Sequence, residues 1–416
     1  MSIERLSTPL NAWHRSQGAN MADFGGYDMP LWYPAGVKKE HLAVLESAGL
    51  FDTSHMACVM VSGPGAFALL QRCHTRDLLS LKTGRCVYGA VLNSKGHVID
   101  DAIVYRLAET NFMVCVNAGM GAVVAEHLAS NRLQLDVDIQ DMTGKIGKID
   151  IQGRQSARIL AKILKSPESV FSAMPYFSFK GHFNSQNPLS TQVRLKDDTP
   201  VLLSRSGYTG EFGFELFLPE PALVSVWTQL LAAGEPERIT PCGLGARDSL
   251  RTGAVLPLSH QDIGAWPFIN HPWMFALPLV SDAKSFTKEF IGRDALMNLS
   301  AIEYTYAFVG KDLRKVGTGE DTQVIDNAGT VIGRVLSCAT DMGITWHENK
   351  IVSIATPGLP ENLVIKGLSC GYVKVDKSLE AGAPLILQEK KRQLPVIIVN
   401  DIRPDRTARK KLSDFI

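Results

Sequence analysis

No run of this 416-residue chain approaches the roughly 18 to 20 consecutive apolar residues that a membrane-crossing helix needs. The opening MSIERLSTPLNAWHRSQG lacks the apolar centre of a secretory signal. Neither charge sign is in excess. Lysine and arginine number 43 against 42 acids, a net charge of +1, so no global field draws the chain to nucleic acid or an anionic membrane. The seven cysteines are odd in number, widely spaced and free of any CxxC pair. That argues against a disulfide framework or a zinc site and for reduced thiols in a cytoplasmic protein. The ten histidines include no HExxH pair, leaving metal catalysis without visible support. GxGxxG, Walker A and GxSxG patterns are missing too, so hydride transfer, nucleotide hydrolysis and serine catalysis have no anchor.

What is present is the composition of a folded globular protein, 45% hydrophobic and 20% charged residues, long enough for two or three domains. Residues 58–140 read as one α/β unit. A short apolar run from Cys58 to Val61 meets SGPG and the helical stretch AFALLQRC. Strands follow over Cys86–Leu92, Val98–Arg106 and Phe112–Asn117, then a helix over Gly121–Ala129 and the alternating LDVDI. Alternation marks the strands, and Ser/Gly/Asn clusters mark the turns. The order predicts a ferredoxin-like α+β layer. A second unit, 145–285, holds IGKIDIQG, the helix SARILAKIL, strands around LLSRSGYTGEFGFELFL, and helices at ALVSVWTQLLAAG and GLGARDSLRTG. Beyond about residue 300 the runs VIGRVLS, IVSIA, LVIKG, PLILQ and LPVIIVN predict a small β-barrel or sandwich.

The most informative segment is NSKGHVIDDAIVY, Asn93 to Tyr105. Side chains alternate in a strand, so Ile99, Asp101, Ile103 and Tyr105 share a face. Pairing Asn93 with Val98 across the turn adds Tyr88 and Ala90 to it. This register sets Asp101 between two aromatic hydroxyls on an apolar sheet. A carboxylate there must find donors or shift its pKa upward, and a flat heterocycle with N–H donors would satisfy it. The ordinary alternative is that Asp100 or Asp101 caps the hairpin or pairs with a nearby cation. In SGYTGEFGFE the glycines suit a tight turn, and Glu215 faces away from Phe214 and Leu216, either toward a site or toward solvent. In CGLGARDSLR, Arg247 and Arg251 stand one helical turn apart, able to meet an anion or to pair on the surface with Asp248. In FDTSHM, Asp52 and Ser54 read as turn residues and His55 as a hydrogen-bonded core histidine. The tail IRPDRTARKK reads as solvated, or as a basic patch for a polyanionic part of a ligand.

Taken together, these segments resemble the glycine cleavage T-protein (aminomethyltransferase) family. The matches run in order from Thr8 to Leu296: TPLNAWHRSQGANMADFGGYDMPLWYP, GLFDTSHM, VSGPGA, VIDDAIVYRL, IQGRQSARIL, SGYTGEFGFELFLP, CGLGARDSLR and EFIGRDAL. The resemblance implies a three-domain cloverleaf: an α/β domain from 1–57 and 141–240, a ferredoxin-like folate domain from 58–140 and 241–285, and a β-barrel over 286–416. It also implies tetrahydrofolate in a central channel. Asp101 would be the essential carboxylate beside the pterin, Tyr88, Tyr105, Asn117 and Tyr208 would line the site, Glu215 would hold the pterin, and Arg247 would stand near folate or donor. The implied reaction is attack by folate N5 on an aminomethyl group carried by the lipoyl arm of a carrier protein, with loss of ammonia and formation of methylenetetrahydrofolate. Asp101 would orient the folate and stabilise positive charge on its nitrogens.

The chain also departs from the family. Where the family reads R-x-E-A-G-L-P-L-Y-G, this sequence has Arg251-Thr-Gly-Ala-Val-Leu-Pro-Leu-Ser259-His260, so Gly253 replaces the acid. AWPFINHPW lacks another acid near Ile269, VLSCATDMGI stands for the VTSGxxSPxL signature, and WHENKIVSIATPGLPEN is inserted. These changes keep two further readings open: a folate-dependent O- or S-demethylase of the same superfamily, and a non-catalytic folate-binding protein of the iron–sulfur maintenance type.

Overall fold

The computed structural model describes residues 5–280, 285–299 and 301–416. Its first sheet has five strands in the order Cys86–Leu92, Val98–Arg106, Asn111–Val116, Ala57–Ser62 and Asp138–Asp141, with every neighbouring pair antiparallel. Helices Ala66–Cys73 and Gly121–Asn131 cover one face, because Val59, Val61, Ala102, Val104, Val114 and Val116 alternate toward them and form one core with Leu69, Leu70, Val124 and Leu128. This is the ferredoxin-like layer with a third strand between its helices.

The opposite face presents Cys58, Cys86, Tyr105, Met113 and Cys115 to Phe179, Leu202 and Phe217 of a second sheet. That sheet has six strands: Phe179–Gly181, Leu202–Ser204, Gly213–Pro219, Ile146–Gln152, Gly49–Asp52 and Thr240–Pro241. Its far side buries Trp227 and Leu230 of helix Leu223–Gly234 with Ile159 and Leu160 of helix Ser156–Ile163. The two sheets thus meet face to face, and the Asp101 face of the first is turned inward.

The C-terminal region closes into a six-stranded antiparallel barrel: Tyr304–Gly310, Leu368–Val375, Val331–Asp341, Gly319–Ile325, Pro384–Glu389 and Arg392–Val399. Closure leaves no edge strand to pair with another chain. Two of the runs expected to form strands of this region are used otherwise. Lys350–Ser353 pairs with Ile344–His347 as a separate hairpin, and residues 363–367 form no strand.

Helix Leu244–Gly253 packs on the barrel strand Val331–Asp341 and on helix Val37–Glu46. At its end, Gly253 leaves room that the Asp341 carboxylate occupies; a Cβ there would collide with Asp341 Oδ2. The space beside Gly253 is therefore filled by an acid from the barrel. Gly253→Ala is expected to destabilise the protein by about 1–3 kcal/mol, the usual cost of overpacking a tight interior. Thermal melts would check this, and an unchanged midpoint would mean that the carboxylate can step aside.

Candidate active site

Where the two sheets, helix Leu244–Gly253 and the hairpin of Asn20–Phe24 with Tyr27–Trp32 converge, a cavity of about 330 Å³ opens. Tyr88, Asp101, Asn117, Tyr208, Glu215 and Arg247 all line it.

Asp101 reaches the cavity because of the strand register. Ala90 lies opposite Asp101, Tyr88 opposite Ile103 and Cys86 opposite Tyr105, with a bulge between Val91 and Leu92 near the turn. Tyr88 OH donates to Asp101 Oδ2 at 2.8 Å, and Asn117 Nδ2 donates to Asp101 Oδ1 at 2.6 Å. The same Nδ2 lies 2.8 Å from Asp100 Oδ1, and the Asn117 backbone N–H donates to Asp100 Oδ2 at 2.8 Å. One asparagine thus bridges two adjacent carboxylates. Burial, then the charge of Asp100, push the Asp101 carboxyl up to about 7. Burial raises Asp100 as well, against hydrogen bonds from Ser259 and Asn117.

Tyr105 does not line the cavity. It shares the Asp101 face but lies four residues further along, about 13 Å at the rise of a strand. There it is fully buried between Phe179 and Phe217. The second partner of Asp101 is accordingly Asn117, not a second tyrosine.

Glu215 is not solvent-facing. It is 5% exposed and belongs to a buried charge chain. Lys148 Nζ donates to Glu215 Oε1 at 2.5 Å and to Asp150 Oδ1 at 2.7 Å, and Arg247 donates to Asp150 Oδ2 at 2.8 Å. Ser206 Oγ and Tyr105 OH also donate to Glu215. Burial works against the charge on Lys148, but Asp150 and Glu215 outweigh it and raise its proton affinity. Burial likewise opposes the charge on Asp150, which Lys148 and Arg247 hold below the usual carboxylate range. Neither Lys148 nor Asp150 is among the candidates named from the sequence, although two charged residues two apart, hence on one face, in the apolar strand IGKIDIQ carry a legible signal.

The Arg247 guanidinium lies 4.9 Å from the centre of the Tyr208 ring, and Tyr208 OH donates to the Pro257 carbonyl. Arg251 has a different role. It is 1% exposed and bound on its inner side by the buried Asp262, while Asp248, its side chain 47% exposed, pairs with it from the solvent side. Of the SGYTGEFG glycines, Gly210 has φ 76°. Gly207 and Gly213 serve close approach instead, since a Cβ on either would strike the Gln152 amide.

His55 departs from expectation. It lines the cavity, its buried Nδ1 has no hydrogen-bond partner among the described residues, and burial pushes it down to about 4. Asp52 is more than a turn residue, accepting from Thr8 Oγ1 at 2.6 Å and the Ser54 backbone N–H at 2.9 Å and lying 3.0 Å from His14 Nε2. Among the described residues no helix is long and apolar enough to cross a membrane.

Comparison with known proteins bears on this arrangement. Residues 10–266 match the family model described as the GCVT N-terminal domain. The aminomethyltransferase of Koribacter versatilis is 35% identical over 335 residues, 79% of this chain and 83% of that protein. That of Listeria monocytogenes serotype 4a is 34% identical over 383 residues, 91% of this chain and 94% of its own. The glycine cleavage system aminomethyltransferase T from Bartonella henselae superposes with a TM-score of 0.73 at 27% identity, covering 94% of this chain and 96% of that one.

Proposed function

This chain belongs to the aminomethyltransferase family, the T-proteins of glycine cleavage, and from that premise we propose that it transfers an aminomethyl-derived carbon to tetrahydrofolate bound in the Asp101 cavity. The observation that carries the proposal is Asp101 itself, a carboxylate of near-neutral proton affinity held by Tyr88 and Asn117 in the cavity wall.

The residues fit a reduced folate. A cavity of about 330 Å³ falls within the range of about 300–1,000 Å³ usual for small-molecule sites. Asp101 and Glu215 offer acceptors for N–H groups, Tyr88 and Tyr208 offer aromatic surface, and Met56 and Ile103 supply apolar wall. The unpartnered Nδ1 of His55 is a further buried polar atom in the same wall. When bound, reduced folate supplies the nucleophilic nitrogen that takes up the one-carbon unit.

Tyr88 and Asn117 lock the Asp101 side chain, so no reorientation is needed during the reaction. Ionised Asp101 stabilises positive charge developing at a nitrogen above it and can take the proton that nitrogen loses, a task for which a base poised near neutrality is best matched. Glu215, fixed by Lys148 and Ser206, holds N–H donors at the side of the cavity. Arg247 has Asp150 as its carboxylate partner among the described residues, leaving guanidinium N–H groups for an anionic part of the folate or donor. The donor we propose is an aminomethyl group on the lipoyl arm of a carrier protein.

A decisive assay supplies purified protein with tetrahydrofolate and aminomethylated lipoyl carrier protein. Methylenetetrahydrofolate, ammonia and the carrier with its lipoyl arm released as the free dithiol are the expected products. The changed turn at Gly253, Ser259 and His260 favours one alternative, an O- or S-methyl donor, which would yield methyltetrahydrofolate instead. Folate binding without turnover of any donor would overturn both readings. The pH profile is a further check. If ionised Asp101 is the active form, kcat/KM should rise about tenfold per pH unit below about 7 and level off above it, and this limb should vanish in Asp101→Asn.

A further inference from the structure

The turn at 254–262 closes the cavity beside the two carboxylates, with Pro257, Leu258 and Gln261 in the wall. Val255 and His260 adopt left-handed backbone conformations there, φ 55° and 64°, at the two positions where the family pattern has glycine. A β-branched residue in that region is a true outlier, and such strain persists only where the surroundings enforce it. The enforcing bonds are present. Trp273 Nε1 donates to the Val255 carbonyl at 2.9 Å, Tyr372 OH to the Leu256 carbonyl at 3.2 Å, and the Leu258 backbone N–H to Asp262 Oδ2 at 3.0 Å.

The held turn brings two polar side chains to Asp100. Ser259 Oγ donates to Asp100 Oδ1 at 2.7 Å, and His260 Nε2 lies 3.9 Å from the same oxygen, its side chain 52% exposed. Asp100 is fully buried. It accepts hydrogen bonds from the Asn117 N–H, Asn117 Nδ2 and Ser259. Asp101 accepts from Tyr88 and shares Asn117 Nδ2. Hydrogen bonds to an ionised carboxylate favour ionisation, and a neighbouring like charge opposes it. The better-served member of such a pair therefore stays charged and leaves the proton to the other.

We propose that Ser259 and His260 are positioning residues that hold Asp100 as the permanently charged member of the pair, so that a proton released in the cavity goes to Asp101. The inference deepens the reading of Asp101 as proton acceptor and rests on it. The other titratable groups facing the pair are Tyr88 from the neighbouring strand and Tyr208 from the 207–211 segment. Arg247 and Arg251 on the helix line the same cavity, held by Asp150 and by Asp262 with Asp248.

The test uses the ligand-free full-length protein with carboxyl-13C aspartate, followed by NMR across pH, with Asp100→Asn and Asp101→Asn assigning the two signals. In the parent, the Asp101 signal should titrate near neutrality while the Asp100 signal stays at its charged position. In Ser259→Ala, Asp100 should begin to move in the same pH range and the Asp101 amplitude should fall by about twofold or more, since one hydrogen bond to a charged group suffices for a tenfold change in proton partition. Ser259→Thr, which restores the hydroxyl, should return the parent pattern. His260→Asn, an exposed change to a residue tolerant of left-handed backbone, should shift the pair in the same direction by less. An Asp100 signal unmoved in both Ser259→Ala and His260→Asn would overturn the proposal, as would Asp100 titrating near neutrality in the parent. These readouts involve no folate, so failure of the transfer reaction alone would leave them standing and be told apart.

Discussion

Asp101→Asn is expected to lower kcat by about two to four orders of magnitude, the range seen when a positioned base or a preorganised charge is removed, with the fold intact. Asparagine keeps the shape of the side chain. Its carbonyl can accept from Asn117 Nδ2 while its amide donates to the Tyr88 hydroxyl, reversing the latter bond without breaking it. The variant also loses a charge that the fold holds at a disadvantage. Because the folded-state pKa is raised, the folded protein retains a proton the unfolded chain has released, so Asp101 costs stability as pH climbs from about 4 toward 7. Thermal melts at pH 8 should therefore show Asp101→Asn at least as stable as the parent. Turnover within about threefold of the parent would remove Asp101 from the mechanism.

Arg403→Met is expected to cost about 3–5 kcal/mol of stability, because it strips the cation from two buried carboxylates. Arg403 is 1% exposed. It donates to Asp341 at the end of a barrel strand, to Glu211 at 3.2 Å and to the Thr209 carbonyl beside the cavity turn. Asp341 is bonded in turn by the Gly343 backbone N–H at 2.8 Å and lies 3.2 Å from His41 Nε2 on helix Val37–Glu46. A single guanidinium thus ties the C-terminal tail, the barrel and the SGYTG turn together. Urea unfolding would measure the loss, and a change below about 1 kcal/mol would mean water replaces the missing cation. Acid sensitivity offers a second check. Burial opposes the charge on Asp341, but Arg403 and His41 hold its carboxyl well below the usual range. Its stabilisation is then complete above about pH 4, the unfolded value, and drains away as pH falls toward the lower folded value. Arg403→Met should flatten that decline.

Arg403 also marks where sequence reading stops. The tail IRPDRTARKK reads as a solvated basic run, and its exposed members Arg409, Lys410 and Lys411 match that description. Arg403 and Thr407 do not, since they are buried against Glu211. Nothing within the tail marks Arg403 as the buried one, because its carboxylate partners, Glu211 and Asp341, lie many residues away in the chain. Ser259 poses the same difficulty. Its bond to Asp100 spans 159 residues, and a serine at that position carries no local signal of an acid across the cavity. Tyr105 shows the converse, a correct face assignment whose four-residue offset put the side chain into the core instead of the site.

Backbone alternation, turn composition and the ordered motifs were enough to place Asp101 and Tyr88 on one sheet face, to set the order of strands and helices in the first layer, and to anticipate a closed β-structure at the C-terminal end. Period-two geometry acts within a few residues, so it is written into the chain itself. The choice of partners was made elsewhere: Asn117 between the two acids, Lys148 between Asp150 and Glu215, and Asp341 in the space that Gly253 leaves. Those contacts join segments that meet only when two sheets and a barrel close on one another, and only that closure sets Asp101 back from solvent beside Asp100, which raises its proton affinity.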